Sequence, residues 1–188
     1  MAHADWHGRP VAPIELERTL GHHPVTRAYE HRPPTHLARS FEGYLAARLR
    51  MVCRSWEDVF EFLRRCEYAR DRALFGVDEL WLHPEDFERL CAGDCEDSAI
   101  WAWVQLARAG IAARFTAGLH DGSGHAWVTI YEGRTPLVFE TTAKDPDYRP
   151  ETPTDAYEPY WSVSAEPRFF WHGGDHPSGD LQDIVFLE

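Results

Sequence analysis

The chain has 188 residues, of which 44% are hydrophobic and 13% aromatic, enough to fill one core. Its 19 basic and 31 acidic side chains give a formal net charge of −12, which excludes the basic surface that nucleic-acid binding needs. Because no apolar run is long enough to span a bilayer and the N-terminus does not resemble a signal peptide, we expect a soluble, cytoplasmic, single-domain protein over residues 1–188.

The first part of the chain is predicted to be an irregular arm followed by helices. Residues 1–36 hold six of the 11 histidines and five prolines without sustained periodicity, which predicts an irregular arm. Leu37 to Arg50 is predicted to form a helix. A second helix should begin where Ser55 can cap it and Asp58 can reach back to the helix start.

A short third helix is predicted from its end signals. Pro84 suits the first helical position, because the N–H that proline lacks would have no partner there. The helix is expected to run to about Cys91, and Gly93 should then stop it.

The next helix is predicted over residues 95–109. Asp94 is a suitable N-cap and Asp97 is a capping-box acid at the third helical position. Gly110 follows the last turn and should end the helix.

The pattern then changes to that of an antiparallel sheet. Short segments rich in β-branched and aromatic residues predict three strands at 111–119, 125–131 and 135–141, joined by glycine-containing turns. Shorter strands are predicted near 157–162, 168–171 and 183–187. Helices followed by an antiparallel sheet predict an α+β fold.

Cys95 is the strongest candidate for a catalytic residue. It lies in the first turn of a predicted helix, where unpaired backbone N–H groups and the positive end of the helix dipole stabilise a thiolate or an oxyanion. Against this, three neighbouring carboxylates oppose a negative charge on the sulfur unless they turn away or a cation neutralises them. The position therefore needs the support of a base.

A base and an acid are predicted on the hairpin after this helix. If its strands pair about Glu132 and Gly133, paired residue numbers sum to 265, and His125 lies directly across from Glu140. A four-residue loop from Tyr131 to Arg134 keeps this register and turns Pro136 away from the ladder. Cys95, His125 and Glu140 would then form a nucleophile, base and orienting acid.

The other cysteines are predicted to be free thiols with structural roles. Four cysteines, at positions 53, 66, 91 and 95, are too few for a disulfide scaffold in a chain of this length. Cys91 and Cys95 with His83 suggest a metal site, but no second paired motif completes four ligands, so core or nucleophile roles are favoured.

The motifs of this region resemble a known family. The block Gly93-Asp94-Cys95-Glu96-Asp97, an alanine-rich helix, Gly124-His125-Ala126-Trp127-Val128 and an acid about fifteen residues later resemble the bacterial transglutaminase-like cysteine proteinases, over about Ala73 to Thr142. The resemblance implies a papain-like, transglutaminase-like core. It also implies that Cys95 is the nucleophile, His125 the general base and Glu140 the orienting acid.

The resemblance also bears on metals and on the oxyanion. Some relatives with this motif depend on calcium, which would make Asp94 and Glu96 ligands, and no other cofactor is expected. Because no glutamine precedes Cys95, the oxyanion would be held by the Cys95 N–H and by a second donor, either another backbone N–H or the ring N–H of Trp81 or His83. Glutamate also stands at position 140 where the family usually has aspartate.

Two functions remain open from the sequence. The first is a hydrolase or acyl-transferase that acts on an amide of a protein or peptide (a peptide, isopeptide or glutamine side-chain bond) through a thioester. The alternative is a transglutaminase-like fold whose triad has decayed and which serves as a binding or scaffold module.

Overall fold

A computed structural model describes residues 37–76 and 80–172 of the chain. The predicted arm at 1–36 and the predicted strand at 183–187 lie outside these residues. The described helices are α1 (Leu37–Leu45), α2 (Trp56–Leu63), α3 (Asp71–Leu74), α4 (Pro84–Leu90) and α5 (Cys95–Arg108).

The strands form two sheets. A short parallel pair joins β1 (Glu67–Tyr68) to β2 (Ala92–Gly93). The main sheet is antiparallel, in the order β5-β4-β3-β6-β7. Its strands are β3 (Ala113–His120), β4 (Ser123–Glu132), β5 (Thr135–Phe139), β6 (Tyr157–Ser164) and β7 (Phe169–Trp171).

The first helix is shorter than its sequence pattern predicts. The predicted helix from Leu37 to Arg50 ends at Leu45. Beyond this end, the N–H groups of Arg50 and Met51 donate to the Glu88 carboxylate of α4 at 2.6 and 3.2 Å, in place of helical carbonyls. A side chain from another helix thus takes over the backbone donors, which local propensity does not reveal.

The start of α2 and both ends of α5 agree with the sequence. Ser55 accepts a hydrogen bond from the Asp58 N–H, and the Asp58 carboxylate reaches back to the Arg54 N–H at 2.8 Å. Asp94 is the N-cap of α5, and Gly110, which follows the helix, has a φ of 73°. These predictions are confirmed, because caps depend only on neighbouring residues.

The predicted end of α4 near Cys91 is confirmed, but Gly93 is not the residue that stops it. Pro84 is its first residue and Leu90 its last, and Cys91, which caps the helix, adopts the left-handed conformation with a φ of 51°. Gly93 instead belongs to β2, where its carbonyl accepts from the Ala69 N–H at 2.9 Å. The chain must leave the helix early enough to pair with β1.

The register of the hairpin between β4 and β5 differs from the prediction by two residues. Val128 pairs with Phe139 and Glu132 pairs with Thr135, so paired numbers sum to 267 rather than 265. The loop is only Gly133 and Arg134, and Gly133, with a φ of 63°, supplies the left-handed backbone that a tight hairpin turn needs. The expected four-residue loop is therefore wrong.

Pro136 is compatible with this tight turn. Pro136 lies on the edge strand β5 and pairs with Tyr131 of β4. Two residues further on, the Val138 N–H points away from β4 and donates to the Glu151 carbonyl at 2.7 Å. Since nitrogens two residues apart point to the same side of a strand, the nitrogen of Pro136 also faces away from β4. No ladder hydrogen bond is lost.

The core lies between the helices and the main sheet. Helix α5 is buried from Glu96 to Leu106 and packs on β3 and β4. Phe41 of α1 contacts the rings of Trp103, Phe115 and Trp161, with centroids 5.5 to 6.1 Å apart. This packing holds α5 against the central strands of the main sheet.

Candidate active site

A cleft of about 680 Å³ lies where the N-terminus of α5 meets the sheet. Its lining includes Cys95 of α5, His125 of β4, Trp81 and the acids Asp71, Asp94 and Glu96. The cleft is open to solvent, and both Cys95 and His125 are only partly buried. Two of the three predicted catalytic residues therefore border one accessible cavity.

Cys95 is held as the first residue of α5. The Asp97 carboxylate accepts from the Asp94 N–H at 3.3 Å and so fixes the turn that precedes the helix. Ser98 donates to the Cys95 carbonyl at 3.0 Å and is hydrogen-bonded to Thr141 at 3.0 Å. The first turn of the helix is thus tied to the chain just after β5, beside Glu140.

His125 connects the cysteine to the acid. Its Nε2 lies 2.7 Å from Glu140 Oε2, and each side chain is 14% exposed. Burial lowers the pKa of His125, but hydrogen bonds to Cys95 and Glu140 and the charge of Glu140 outweigh burial and raise the pKa to about 10. With Nε2 engaged by the carboxylate, Nδ1 is the ring nitrogen left for the sulfur.

Glu140 is bonded through both carboxylate oxygens. Oε1 accepts from the N–H and hydroxyl of Thr142 at 2.9 and 2.6 Å, and Oε2 accepts from the Tyr157 hydroxyl at 3.1 Å as well as from His125. Burial raises the pKa of Glu140, but the hydrogen bond and charge of His125, with the Thr142 bonds, lower it to about 2. The residue is a carboxylate throughout the neutral range.

The predicted contact between His125 and Glu140 is present although the predicted register is wrong. Glu140 follows the last residue of β5 and lies diagonally from His125 rather than directly across from it. A shift of two residues keeps every side chain on its original face. The glutamate arm, longer than that of aspartate, spans the diagonal.

Thr142 and Tyr157 were not predicted as part of the site. Thr142 follows Glu140 closely, and a hydroxyl two residues from a strand-end acid is a signal that the sequence does contain. Tyr157 begins β6, which pairs with β3 through a register shift between Ala117 and Gly118. Long-range pairing through such a shift has no local sequence signal.

The two predicted side-chain oxyanion donors differ in position. Trp81 lines the cleft, packed against Phe41 and Phe115. His83 caps α4 instead: its Nδ1 accepts from the Glu85 N–H at 3.4 Å and its Nε2 lies 3.4 Å from the Gly43 carbonyl. The assignment of His83 to the oxyanion is therefore wrong, because both of its nitrogens serve the helix packing.

The alternative metal site of Cys91, Cys95 and His83 is not formed either. Cys91 lies against Cys66, with 2.6 Å between the sulfurs, while Cys95 lines the cleft and its thiol donates to Glu96 Oε2 at 3.3 Å. All four cysteines of the chain are free thiols in this structure.

A second acidic group lies on the other side of Cys95. Oxygens of Asp71, Asp94 and Glu96 lie within 4.8 Å of one another. Burial raises the pKa of Asp94 and of Glu96, and for Glu96 the charges of Cys95 and Asp94 add to this effect. Asp94 Oδ1 and Glu96 Oε1 are buried and have no hydrogen-bond partner among the described residues.

These three acids suit a hard cation. Carboxylate oxygens are the ligands that calcium prefers, and buried oxygens without donors are costly unless a cation binds them. Asp97 has a different role, since its carboxylate accepts from the N–H groups of Leu82 and Asp94. Asp71 was missed in the sequence because it belongs to α3, outside the motif block.

No helix within residues 37–76 and 80–172 combines the length and the apolar character needed to cross a membrane.

Comparison with solved structures places the fold. No family model matches the sequence, and no curated protein matches it significantly. The chain is similar to calcium-bound LapG of Legionella pneumophila, with 21% identity over 82% of this chain and 89% of LapG and a TM-score of 0.53. It is also similar to EGTA-treated LapG, with 20% identity over 92% of this chain and 94% of LapG and a TM-score of 0.54. The protein has the α+β, papain-like and transglutaminase-like fold of LapG.

Proposed function

We propose that the protein is a cysteine peptidase or amidase that cleaves an amide bond of a protein or peptide through a thioester. The observation that carries this proposal is the position of the His125 ring, which lies 2.7 Å from the Glu140 carboxylate and borders the same open cleft as Cys95. A thiol, a base and an orienting acid in that order form a nucleophilic triad.

In the proposed reaction, His125 accepts the proton of Cys95 and the sulfur attacks the amide carbonyl carbon. The resulting imidazolium, stabilised by Glu140, donates its proton to the amide nitrogen as the carbon–nitrogen bond breaks. This leaves a thioester on Cys95 and releases the amine. Water, or an amine in an acyl-transferase, then attacks the thioester with His125 as the base, and the thiol is regenerated.

The oxyanion is proposed to be held by backbone and ring donors. The N–H of Cys95 lies at the N-terminus of a 14-residue helix, where the dipole favours negative charge. Trp81 is the proposed second donor, since its side chain borders the same cleft. The lining also includes Tyr160 and Trp161, an aromatic surface suited to a peptide.

We propose that a calcium ion is bound by the carboxylates of Asp71, Asp94 and Glu96. One of the LapG structures is described as calcium-bound, and the acid oxygens of this chain are suitably placed for the same ion. When bound, calcium would supply positive charge that offsets the carboxylates beside Cys95. Asp94 and Glu96 would bind it from the N-terminus of α5, and Asp71 from α3.

The alternative, a binding module with a decayed triad, is less well supported. A decayed site would place no constraint on the three side chains, whereas here Glu140 makes four hydrogen bonds that hold it against His125. This arrangement favours an enzyme.

The proposal is tested with a panel of fluorogenic peptide amides and with iodoacetamide labelling at neutral pH, both in the presence of calcium. Cys95 should label faster than the buried Cys53, and Cys95→Ala should abolish turnover while Cys53→Ala, the matched control, retains it. Turnover by Cys95→Ala equal to that of the unmodified protein would contradict the enzyme proposal.

A further inference from the structure

A second pair of cysteines lies outside the catalytic site. Cys66 follows the end of α2 and Cys91 follows the end of α4, 25 positions later. Both are buried, each with 6% of its surface exposed, and their sulfurs are 2.6 Å apart. Neither residue has a part in the proposed reaction.

The backbone brings these two residues together independently of their side-chain positions. Glu67 pairs with Ala92 in the parallel β1–β2 pair, so Cys66 and Cys91 stand next to each other at its start. The Glu67 N–H donates to the Cys91 carbonyl at 2.9 Å. Neighbouring strands are about 4.8 Å apart, within the range of about 4.4 to 6.8 Å between the Cα atoms of a disulfide.

From this geometry we propose that Cys66 and Cys91 form an intramolecular disulfide, while Cys53 and Cys95 remain thiols. The oxidant is a small disulfide such as oxidised glutathione. One cysteine thiolate attacks the oxidant and releases one thiol, and the other cysteine then attacks the mixed disulfide and releases a second thiol. Two electrons and two protons pass to the oxidant, which is reduced to two thiols.

The surroundings indicate when the bond forms. Burial raises the pKa of the Cys66 thiol, and its sulfur lies 3.6 Å from the Phe62 carbonyl. A buried thiol of this kind reacts slowly in the folded protein. The disulfide therefore forms as the chain folds, when both sulfurs are still accessible, and it is then protected from reductants.

The bond would strengthen the wall of the active-site cleft. The segment that it closes contains Asp71 and Trp81, both of which line the cleft, and it ends four residues before Cys95. The bond would also prevent Cys91 from pairing with the nucleophile. The disulfide is thus a covalent support for the segment that carries part of the site.

The test is refolding of the purified full-length protein in a glutathione redox buffer and, in parallel, with a phosphine reductant. Free thiols are then alkylated under denaturing conditions and the protein is digested without reduction for mass spectrometry. The oxidised sample should carry two alkyl groups fewer than the reduced one and yield one cross-linked peptide pair, containing Cys66 and Cys91. Its Tm should be higher by about 5 to 10 °C, because the bond restricts the unfolded chain.

Variants separate this bond from other oxidation products. Cys66→Ala and Cys91→Ala should each lose the cross-link and the Tm difference, whereas Cys53→Ala and Cys95→Ala should keep both. Four alkylated thiols in the oxidised sample, a glutathione adduct or a bond to Cys53 or Cys95 would overturn the proposal. Peptide mapping of the unmodified protein shows whether Cys66 and Cys91 are linked even if a variant does not fold. This measurement does not depend on peptidase activity.

Discussion

Carboxylates lie on both sides of Cys95, and the two groups have opposite environments. Glu140, on the sheet side, receives hydrogen bonds from His125, Thr142 and Tyr157, and its pKa falls to about 2. On the helix side, Asp94 Oδ1 and Glu96 Oε1 are buried without donors, although Glu96 Oε2 accepts from the Cys95 thiol at 3.3 Å, and burial raises the pKa values of both acids. Burial alone therefore does not decide the charge of an acid; the donors around it do.

This difference suggests a different use for each group. An acid surrounded by donors is already stable as an anion and needs nothing further to orient and charge an imidazole. Acids that face one another through buried oxygens without donors suit a cation. We therefore expect the sheet-side acid to control activity directly and the helix-side acids to control it through calcium.

The largest effect is expected from Glu140→Gln. The amide cannot stabilise the imidazolium, so kcat/KM should fall on the order of 10²- to 10⁴-fold with little change in calcium binding. Steady-state kinetics on a fluorogenic peptide amide measures this loss. Glu132→Gln, at the exposed far end of β4, is the matched control and should leave kcat/KM unchanged.

Glu140→Asp sharpens the same test. It keeps the charge but shortens the arm by one methylene, so its kcat/KM should lie between those of the unmodified protein and Glu140→Gln. Activity of Glu140→Gln within threefold of the unmodified protein would show that the sheet-side acid does not have the proposed part in the reaction.

The second effect concerns the helix-side acids and calcium. A saturating excess of calcium, about 100 times the Kd, should stabilise the protein by about 2.7 kcal/mol, seen as a higher Tm than in EGTA. The double variant Asp94→Asn with Glu96→Gln should lose this increase, because its amides cannot supply the negative charge that binds the ion. Differential scanning calorimetry or fluorimetry measures the shift.

Glu140→Gln is the control for the calcium experiment. It should retain the full rise in Tm, since residue 140 lies on the other side of the cysteine. Equal Tm values in calcium and in EGTA for the unmodified protein would remove the proposed role of the helix-side acids.

The smallest effect is the pH dependence of stability from the His125–Glu140 pair. Glu140 has a folded pKa of about 2, below its ordinary value of 4.5, so its contribution is present above pH 4.5 and is lost as pH falls towards 2. His125 has a folded pKa of about 10, above its ordinary 6.5, so its contribution is complete below pH 6.5 and is lost as pH rises through 10.

The Tm difference between the unmodified protein and Glu140→Gln should therefore be largest between pH 4.5 and 6.5 and decrease on both sides. Thermal unfolding from pH 2 to 10 in EGTA measures it, with Glu132→Gln as a reference that shows no such maximum. A difference that is constant across this range would mean that the pair is not an ion pair in the folded protein.

Local signals in the sequence were sufficient for much of the fold. The caps at Ser55 and Asp94 and the helix stop at Gly110 depend on residues a few positions apart, and the structure agrees with them. Segments rich in β-branched and aromatic residues between glycine-containing turns likewise predicted the first three strands of the main sheet. Helix type, strand type and face are local properties.

The errors involve contacts between distant parts of the chain. The carboxylates of Glu85 and Glu88 accept from the N–H groups of Arg48 and Arg50, which α1 would need to reach its predicted end and which lie 37 and 38 positions away. His83 is occupied by Gly43 and the α4 cap, and Asp71 joins Asp94 from another helix. The hairpin register depended on which residues occupy a two-residue turn, and alternation cannot distinguish registers that differ by two.

The diagonal contact between His125 and Glu140 has a consequence for comparing chains of this fold. The acidic side chain must be long enough to reach from the strand end to the histidine. The type of acid, aspartate or glutamate, should therefore vary together with the hairpin register. Where the acid is aspartate, the strand end should lie closer to the histidine. Where it is glutamate, the register of the hairpin can be shifted by two residues, so that the acid lies diagonally from the histidine. Aligning such chains by the position of the acid alone would therefore misplace the hairpin, whereas aligning them by the turn would predict which acid is required.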